Sequence, residues 1–311
     1  MSKHLFGLVV THFGTAANNR GESEGNITTL QKILWNGEVH TSVSAEAIRW
    51  AIRYYWQRTG IEVNRKWNND TNDHEWQDPD WLPWTNPQGK GKGKESYIDD
   101  DVLGFMLAEA AKSEGNEAEG AQAGKKKGKP RVDKRRGALE VTRAMSLTPF
   151  SGDITFNAKS GVKGSTSLYG SEVHATRYQY GFALTPGILA EQRRFLDVVD
   201  AVVSLSEVAG NQSRFLFDFS PDSVIFRWTD DFAPRMLYSF ALDGDGSLSI
   251  PQVMQRINSG DIDPKEMIIG GSIAALKTVT ELKGKGAFIT PGVKAAAEEV
   301  KRRIAETLKI A

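Results

Sequence analysis

Ser44 opens a helical pattern in which Arg49 and Arg53 stand four residues apart, a grouping suited to holding a phosphate. The first N–H groups of a helix have no partner inside it and favour an anion. Two guanidinium groups on one face add charge-assisted hydrogen bonds. Asn18, Asn19 and Arg20 offer amide and guanidinium donors from a thirteen-residue loop, Gly14–Asn26, that holds three Gly and three Asn. Loops of that length are usually functional or disordered. Gln212 and Arg214 lead into a strand-like run and could reach the same phosphates. Lys159 and Lys163 lie in a Gly/Ser-rich segment beside Leu168 and Tyr169, side chains of a size to wedge between bases. Lys125–Arg136 carries eight Lys/Arg and one Asp, and Lys125, Lys126, Lys127, Lys129 and Arg131 could touch nucleic-acid phosphates directly.

Other chemistries are less well supplied. Asp243 and Asp245 begin like a calcium loop, but Met254 fills the twelfth position, where a bidentate Glu is needed. A Gly-rich turn accounts for that stretch better. The five His (His4, His12, His40, His74 and His174) form no metal-ligating spacing, and His40 and His174 read as hydrogen-bonding surface residues. Gly89–Lys94 follows no buried strand and opens no helix, so it reads as a basic linker, not a phosphate loop. Glu22 and Glu24 could hold a metal, but two solvated loop carboxylates explain them more simply. Neither a nucleophile elbow nor a cysteine is present. The expectation is a protein with no catalytic residues, no metal and no cofactor.

The elements that would position these groups follow from periodicity. Leu5–Phe13 reads as a buried strand. Thr28–Leu34 is a short helix or strand, and Glu38–Thr41 a short extended piece. Ser44–Arg58 is a helix with Ile48, Ala51, Ile52 and Tyr55 on its apolar face, Ser44 as N-cap and Glu46 in the first turn. Residues 60–137 read as an insertion, with Trp67, Trp76, Trp81 and Trp84 among Asn and Asp. Within it Asp99–Lys112 resembles an acidic helix, and 88–95 and 113–136 are expected to be mobile. Asp153–Phe156 and Ala175–Leu184 read as strands, Leu189–Ser206 as a helix facing inward with Phe195, Val198, Val199 and Val202, and Arg214–Phe219 and Ser223–Trp228 as strands broken by Ser220-Pro221-Asp222. Val293–Leu308 closes the chain as a helix. This order predicts an α+β sheet-and-helix domain with a large insertion.

Composition bounds the function class. The chain has 311 residues and 40% hydrophobic content, ordinary for a globular protein once Gly is counted as apolar. Lack of cysteine fits a reducing compartment, the apolar run Leu5–Val10 is too short for a signal peptide or span, and a cytoplasmic protein without membrane contact is expected. With 39 Lys+Arg against 39 Asp+Glu the formal charge is zero, which argues against promiscuous coating of nucleic acid. It also predicts that isolated subunits bind nucleic acid less well than an assembled array.

Four segments together carry a resemblance: Asn18-Asn19-Arg20-Gly21-Glu22 after the first strand; HTSVSAEAIRWAIR from His40 to Arg53; Gly152–Asn157 (GDITFN) with Tyr169–Phe182 (YGSEVHATRYQYGF); and Asn211–Phe217 followed by Ser220-Pro221-Asp222. In order and spacing the chain resembles the backbone subunit of type I CRISPR effector complexes, the Cas-seven group of RAMP proteins, and within it the DevR branch. The resemblance covers about two-thirds of the chain and omits most of 60–137. It implies an RRM-like (ferredoxin-like) palm over 1–59 and 138–311 with a thumb excursion near 147–175. It also implies an inserted, partly disordered finger-like region at 60–137 that faces target DNA. His40, Ser42, His174 and Arg177 stand inside the matched segments and join the expected RNA contacts.

The resemblance further implies a non-catalytic scaffold of a Cascade complex of the type I-B kind. Its partners would be crRNA, target DNA, copies of itself in a helical filament, a guide-end-capping RAMP subunit, a large subunit and a crRNA-processing endonuclease. A guide of any sequence must be held by its backbone so that its base edges stay free to pair. Two alternatives stay open. One is a metal-dependent RNA-cleaving backbone subunit of the type III kind, which would use an Asp where this loop has Glu22 and Glu24. The other is a stand-alone RNA-binding regulator.

Overall fold

The structure, a computed structural model, describes residues 3–16, 23–108, 132–158, 168–208 and 217–310. A nine-stranded sheet organises it: β1 (His4–Thr11), β2 (Lys32–Trp35), β3 (Glu38–Val43), β4 (Leu139–Val141), β5 (Ala144–Ser146), β6 (Tyr178–Leu184), β7 (Pro221–Thr229), β8 (Met267–Gly271) and β9 (Phe288–Thr290). The strand order is β9-β8-β7-β1-β6-β5-β3-β2, with β4 pairing β6 beyond β5. All pairs are antiparallel except β8 with β9.

All eight residues of β1 are buried because both faces of the sheet are covered. On one face Leu5 and Val9 meet α1 (Ala45–Arg58), α3 (Phe195–Ser204) and α5 (Val293–Leu308), through Ile48, Ile52, Trp56, Phe195, Val199, Ala296 and Val300. On the other, Phe6, Leu8 and Val10 meet Met236, Phe240 and α4 (Pro251–Asn258), through Val253 and Ile257. A strand buried on both sides reads as a continuous apolar run, which is why β1 is so plain in the sequence. Trp56 gives a polar tie between two helices, its Nε1 donating to the Asp197 carbonyl at 3.1 Å. It takes the place expected for Tyr55 on the buried face of α1; Tyr55 only packs against its margin.

The tightest point of the sheet is Gly7. A Cβ there would lie 2.0 Å from the buried Phe182 ring. Gly7→Ala is therefore expected to destabilise by overpacking, by about 1–3 kcal/mol, seen as a lower urea midpoint with an unchanged m-value.

Several expectations are corrected. Asp99–Lys112 is not one helix. α2 (Ile98–Leu103) stops at Gly104, whose φ of +72 turns the chain into the strand Gly104–Ala108, paired with Val132–Arg136. Residues 88–95 form hydrogen-bonded turns: the N–H groups of Gly91, Lys92 and Lys94 donate to the carbonyls of Asn86, Gly89 and Gly91. Of 113–136, expected to be mobile, 132–136 is strand and the rest lies outside the described residues. Helix α3 starts at Phe195, not Leu189; single 3-10 turns, Pro186–Ile188 and Gln192–Arg194, lead into it. Phe217–Phe219 is irregular, and β7 begins at Pro221. Among the described residues no helix is long and apolar enough to cross a membrane.

Candidate nucleic-acid interface

One end of the sheet gathers most of the sequence-matched segments. Strand Leu168–Thr176 pairs with Asp153–Ala158 as a hairpin that leaves the sheet just before β6, with Phe156 opposite Gly170 and Asn157 opposite Tyr169. Gly14–Ala16, just beyond β1, pairs antiparallel with His174–Thr176, and Ile27–Thr28 runs parallel to Gly170–Ser171. The Phe217 ring packs edge-on to Tyr178 at 5.6 Å. The described flanks of 17–22, 159–167 and 209–216 therefore converge here. Asn18, Asn19, Arg20, Lys159, Lys163, Gln212 and Arg214 themselves lie outside the described residues, as do Lys125, Lys126, Lys127, Lys129 and Arg131.

A buried polar belt fixes the hairpin root to the sheet. His174 Nδ1 bonds Thr41 Oγ1 at 2.8 Å, and its Nε2 bonds Thr148 Oγ1 at 3.2 Å. Thr41 Oγ1 also bonds the Tyr178 hydroxyl at 2.9 Å, and Thr148 bonds Thr176 at 2.8 Å. His40 Nδ1 donates to the Ser146 carbonyl at 2.9 Å. His40 and His174 are thus buried, not surface residues as the sequence suggested. They are satisfied internally because a buried imidazole without partners would be costly. Ser42 is buried and accepts from Arg143 Nη1 at 3.3 Å; Ser44 is buried and caps α1, its Oγ accepting from the Ala47 N–H at 3.1 Å. Arg177 Nη1 donates to the Thr11 carbonyl at 2.9 Å and meets Asp222 Oδ2 at 3.0 Å, leaving its side chain 21% exposed. Burial pushes the Asp222 carboxyl up, but hydrogen bonds from Ser272, Ser223 and Arg177 outweigh it and hold the group below its ordinary range. Leu168 stands opposite Ala158, and Tyr169 is half-buried.

Among the residues this end leaves to solvent are two large aromatic rings. Phe13 is 63% and Phe156 70% exposed, with Ile154 beside the latter on the same strand face. Neither Phe was singled out in the sequence. Phe13 was read as the last residue of a buried strand, but β1 ends at Thr11 and leaves it exposed; the only signal for Phe156 was its alternating spacing with Ile154. Burial, which decides the matter, is not written locally.

Arg49 and Arg53 sit apart from this end, turned toward the insertion. Arg53 Nε donates to Asp99 Oδ2 at 3.0 Å, and Arg49 donates to the Leu103 carbonyl. Three consecutive buried carboxylates of α2 tie the insertion to itself, to α1 and to the approach to α3. Asp99 accepts from Arg53 and from the N–H groups of Asn64 (2.7 Å) and Arg65 (3.1 Å). Asp100 accepts from Trp81 Nε1 (2.8 Å) and Asn64 Nδ2 (2.9 Å). Asp101, fully buried, accepts from Arg194 (2.8 Å), Arg135 and the N–H of Ala190 (3.0 Å). The first turn of a helix favours such charges.

Two of these groups make stability depend on pH in opposite directions. Burial, with His40 nearby, holds the His174 imidazole below its ordinary value. Its stability contribution is full above about pH 6.5 and is lost as pH falls through the lower folded value. Burial, and then Asp99, raises the Asp100 carboxyl to about 7. Its contribution is present below the ordinary carboxylate value and is lost as pH rises through about 7. Hydrogen exchange is expected to show 172–178 loosening on acidification and 97–106 loosening on passing from pH 6 to pH 8. Asp100→Asn should flatten only the second profile; a profile unaltered by that change would refute the assignment.

No family model matches the chain. Over 316 aligned residues it is 45% identical to the "CRISPR-associated protein Cas7/Cst2/DevR" of Myxococcus xanthus (strain DK1622), covering 98% of each sequence. Two solved structures share its fold. A chain titled "CRISPR RNA-guided surveillance complex" matches with a TM-score of 0.57 at 15% identity, over 96% of this chain and 99% of that one. Another, titled "CRISPR RNA-guided surveillance complex, pre-nicking", matches with a TM-score of 0.57 at 10% identity, over 97% and 100%. At such identities the likeness is one of fold.

Proposed function

Because this chain belongs to the Cas7/Cst2/DevR family of CRISPR-associated proteins, we propose that it is the crRNA-binding backbone subunit of a type I surveillance complex. Identity along nearly the whole length of a family member is the observation that carries this reading. Repeated copies hold the guide by its phosphates and leave its bases free for target DNA. The partners are those of such a complex: crRNA, target DNA, further copies of the chain, and the end-capping, large and processing subunits.

The geometry supports the reading in three ways. The order β7-β1-β6-β5, with α1 following β1 and α3 following β6 on one face, is the arrangement an RRM-like palm requires. The hairpin Asp153–Ala158/Leu168–Thr176 is a thumb excursion rooted by a rigid polar belt. Exposed Phe13 and Phe156 beside it are stacking surfaces for bases. The guide therefore passes over this end of the sheet. Arg177 and the described flanks of 17–22, 159–167 and 209–216 line the path, while His40, Ser42, Ser44 and His174 act behind it as positioning residues. Arg49 and Arg53 seat the insertion, a finger-like region, and do not grip the guide.

Expression beside guide arrays of two unrelated sequences tests the proposal. Both RNAs should copurify in filaments with regularly spaced protection. A monomer that retains only one sequence would support a stand-alone regulator instead. The subunit is a scaffold and does not cut. Incubating the assembled complex with complementary RNA and Mg²⁺ tests this, and regularly spaced cleavage lost in Glu22→Ala and Glu24→Ala would overturn it.

A further inference from the structure

Between α1 and the insertion lies an open cleft of ≈ 630 Å³, lined by Arg49, Arg53, Arg65, Arg135, Trp76 and Phe105 among others. That volume is within the range of small-molecule sites. Its four arginines are not equally occupied. Arg53 is paired with Asp99, and Arg135 with Asp101. Arg135 also lies over the Trp84 ring, 3.9 Å from its centroid, with its Nε unpartnered. Arg49 donates only to a backbone carbonyl, and Arg65 stands over Trp76 at 5.3 Å; neither meets a carboxylate among the described residues. Burial, and then the neighbouring Arg53, pushes both of these guanidinium groups down from their ordinary value. Carboxylates oppose the shift only in part, Glu46 and Glu140 at Arg49 and Asp99 and Asp73 at Arg65, so burial and the crowding of cations outweigh them.

The walls are aromatic and partly open. Trp81 stacks on Phe105 at 4.7 Å and 11°, and Trp76 meets Trp81 edge-on at 5.1 Å. Trp81 is buried and its indole N–H is held by Asp100, so this pair is a fixed wall. Trp76 remains 42% and Met106 68% exposed at the rim. Unpaired cations beside an exposed indole face match a group that joins an anion to a flat π-surface.

We propose that this cleft is a second nucleic-acid site, which takes one unpaired nucleotide of a single strand with its phosphate on Arg49 and Arg65 and its base on Trp76. The strand is not the guide, whose path lies at the sheet end, and the site stands whether or not the guide reading does. RNA and DNA share the chemistry used here, so the experiment separates them.

Eight-residue oligo(U) and oligo(dT), complementary to no guide, are titrated into the full-length chain, both free and assembled on guide RNA. Inorganic phosphate and polyglutamate serve as competitors. Binding of at least one oligomer is expected, with ultraviolet crosslinks at Trp76. Arg65→Glu and Trp76→Ala should each weaken it ~10-fold or more, with a cooperative melt retained, because Arg65 is only partly desolvated and Trp76 stands 42% exposed at the rim. Arg65→Gln should lower the slope of log K against log salt by about 0.7. Guide assembly should survive in all three variants. Affinity unchanged in Arg65→Glu and Trp76→Ala, crosslinks confined to the sheet end, or polyglutamate displacing the strand at equal charge concentration would each overturn the proposal. Parallel loss of guide assembly would place the cleft on the guide path and also overturn it, leaving the scaffold reading intact. A wild-type chain that ignores guides but binds the oligomers at Trp76 would have the opposite meaning.

Discussion

Asp101→Ala is expected to cost about 3–5 kcal/mol of stability, a fall in Tm on the order of 10 °C. The carboxylate is fully buried and is shared by two arginines. It also accepts from the N–H groups of Ala190 (3.0 Å) and Glu191 (3.2 Å), which fixes the turn leading into α3. Its removal leaves Arg194, only 11% exposed in its side chain, with Ser96 and the more exposed Glu191 as partners. A buried charge stripped of its partner is penalised more than the pair gained by forming. Differential scanning calorimetry checks this, and a shift under about 2 °C would mean that water screens the site. Asp101→Leu combined with Arg194→Leu should recover part of the loss, because only Arg135, 21% exposed in its side chain, is then left without its carboxylate.

Phe156→Ala should do the reverse, leaving folding intact while weakening guide binding. The ring is 70% exposed on the hairpin, so its loss opens no cavity and Tm should hold. Stacking of a base on an aromatic side chain is worth about 1–3 kcal/mol, which corresponds to roughly 5- to 150-fold in affinity. Phe13→Ala, just beyond β1, is expected to act in the same direction. Filter binding on guides of two sequences, read with melting curves, separates the outcomes. Unchanged affinity with unchanged Tm would remove this face from the guide path. Lost affinity with lowered Tm would make Phe156 structural.

How far the sequence could be read depended on the range of the interaction involved. Helices α1 and α5 were legible because an apolar stripe and a cap are local, and the fold bears out Ser44 as N-cap and Val293–Leu308 as the closing helix. The turn after Asp243 was equally local: its N–H and the Ser247 carbonyl close it, and no calcium loop is needed to explain it. The acidic piece was misjudged because charge spacing alone cannot distinguish a solvated face from a set of clamps. Asp101 meets Arg194 across 93 positions of sequence. Arg49 and Arg53 were rightly placed on a shared helix face, but the packing of the insertion against that face could not be seen, because the partners Leu103 and Asp99 lie 54 and 46 positions away.

By itself, then, the sequence determined the alternation of strand and helix, the family resemblance and the zero net charge, since each depends on residue type and near-neighbour order. The tertiary structure alone decided which of those residues are free to act. Burial turned His40 and His174 from surface groups into a belt under the hairpin, and it took three aspartates out of the acidic surface. That sharpens what zero net charge means here. Among the described residues much of the charge is spent in internal pairs, as at Asp99, Asp101 and Asp222, so a zero total does not say which cations face solvent. The reason is desolvation, which forces buried charges to find partners wherever the fold brings them, regardless of their distance along the chain.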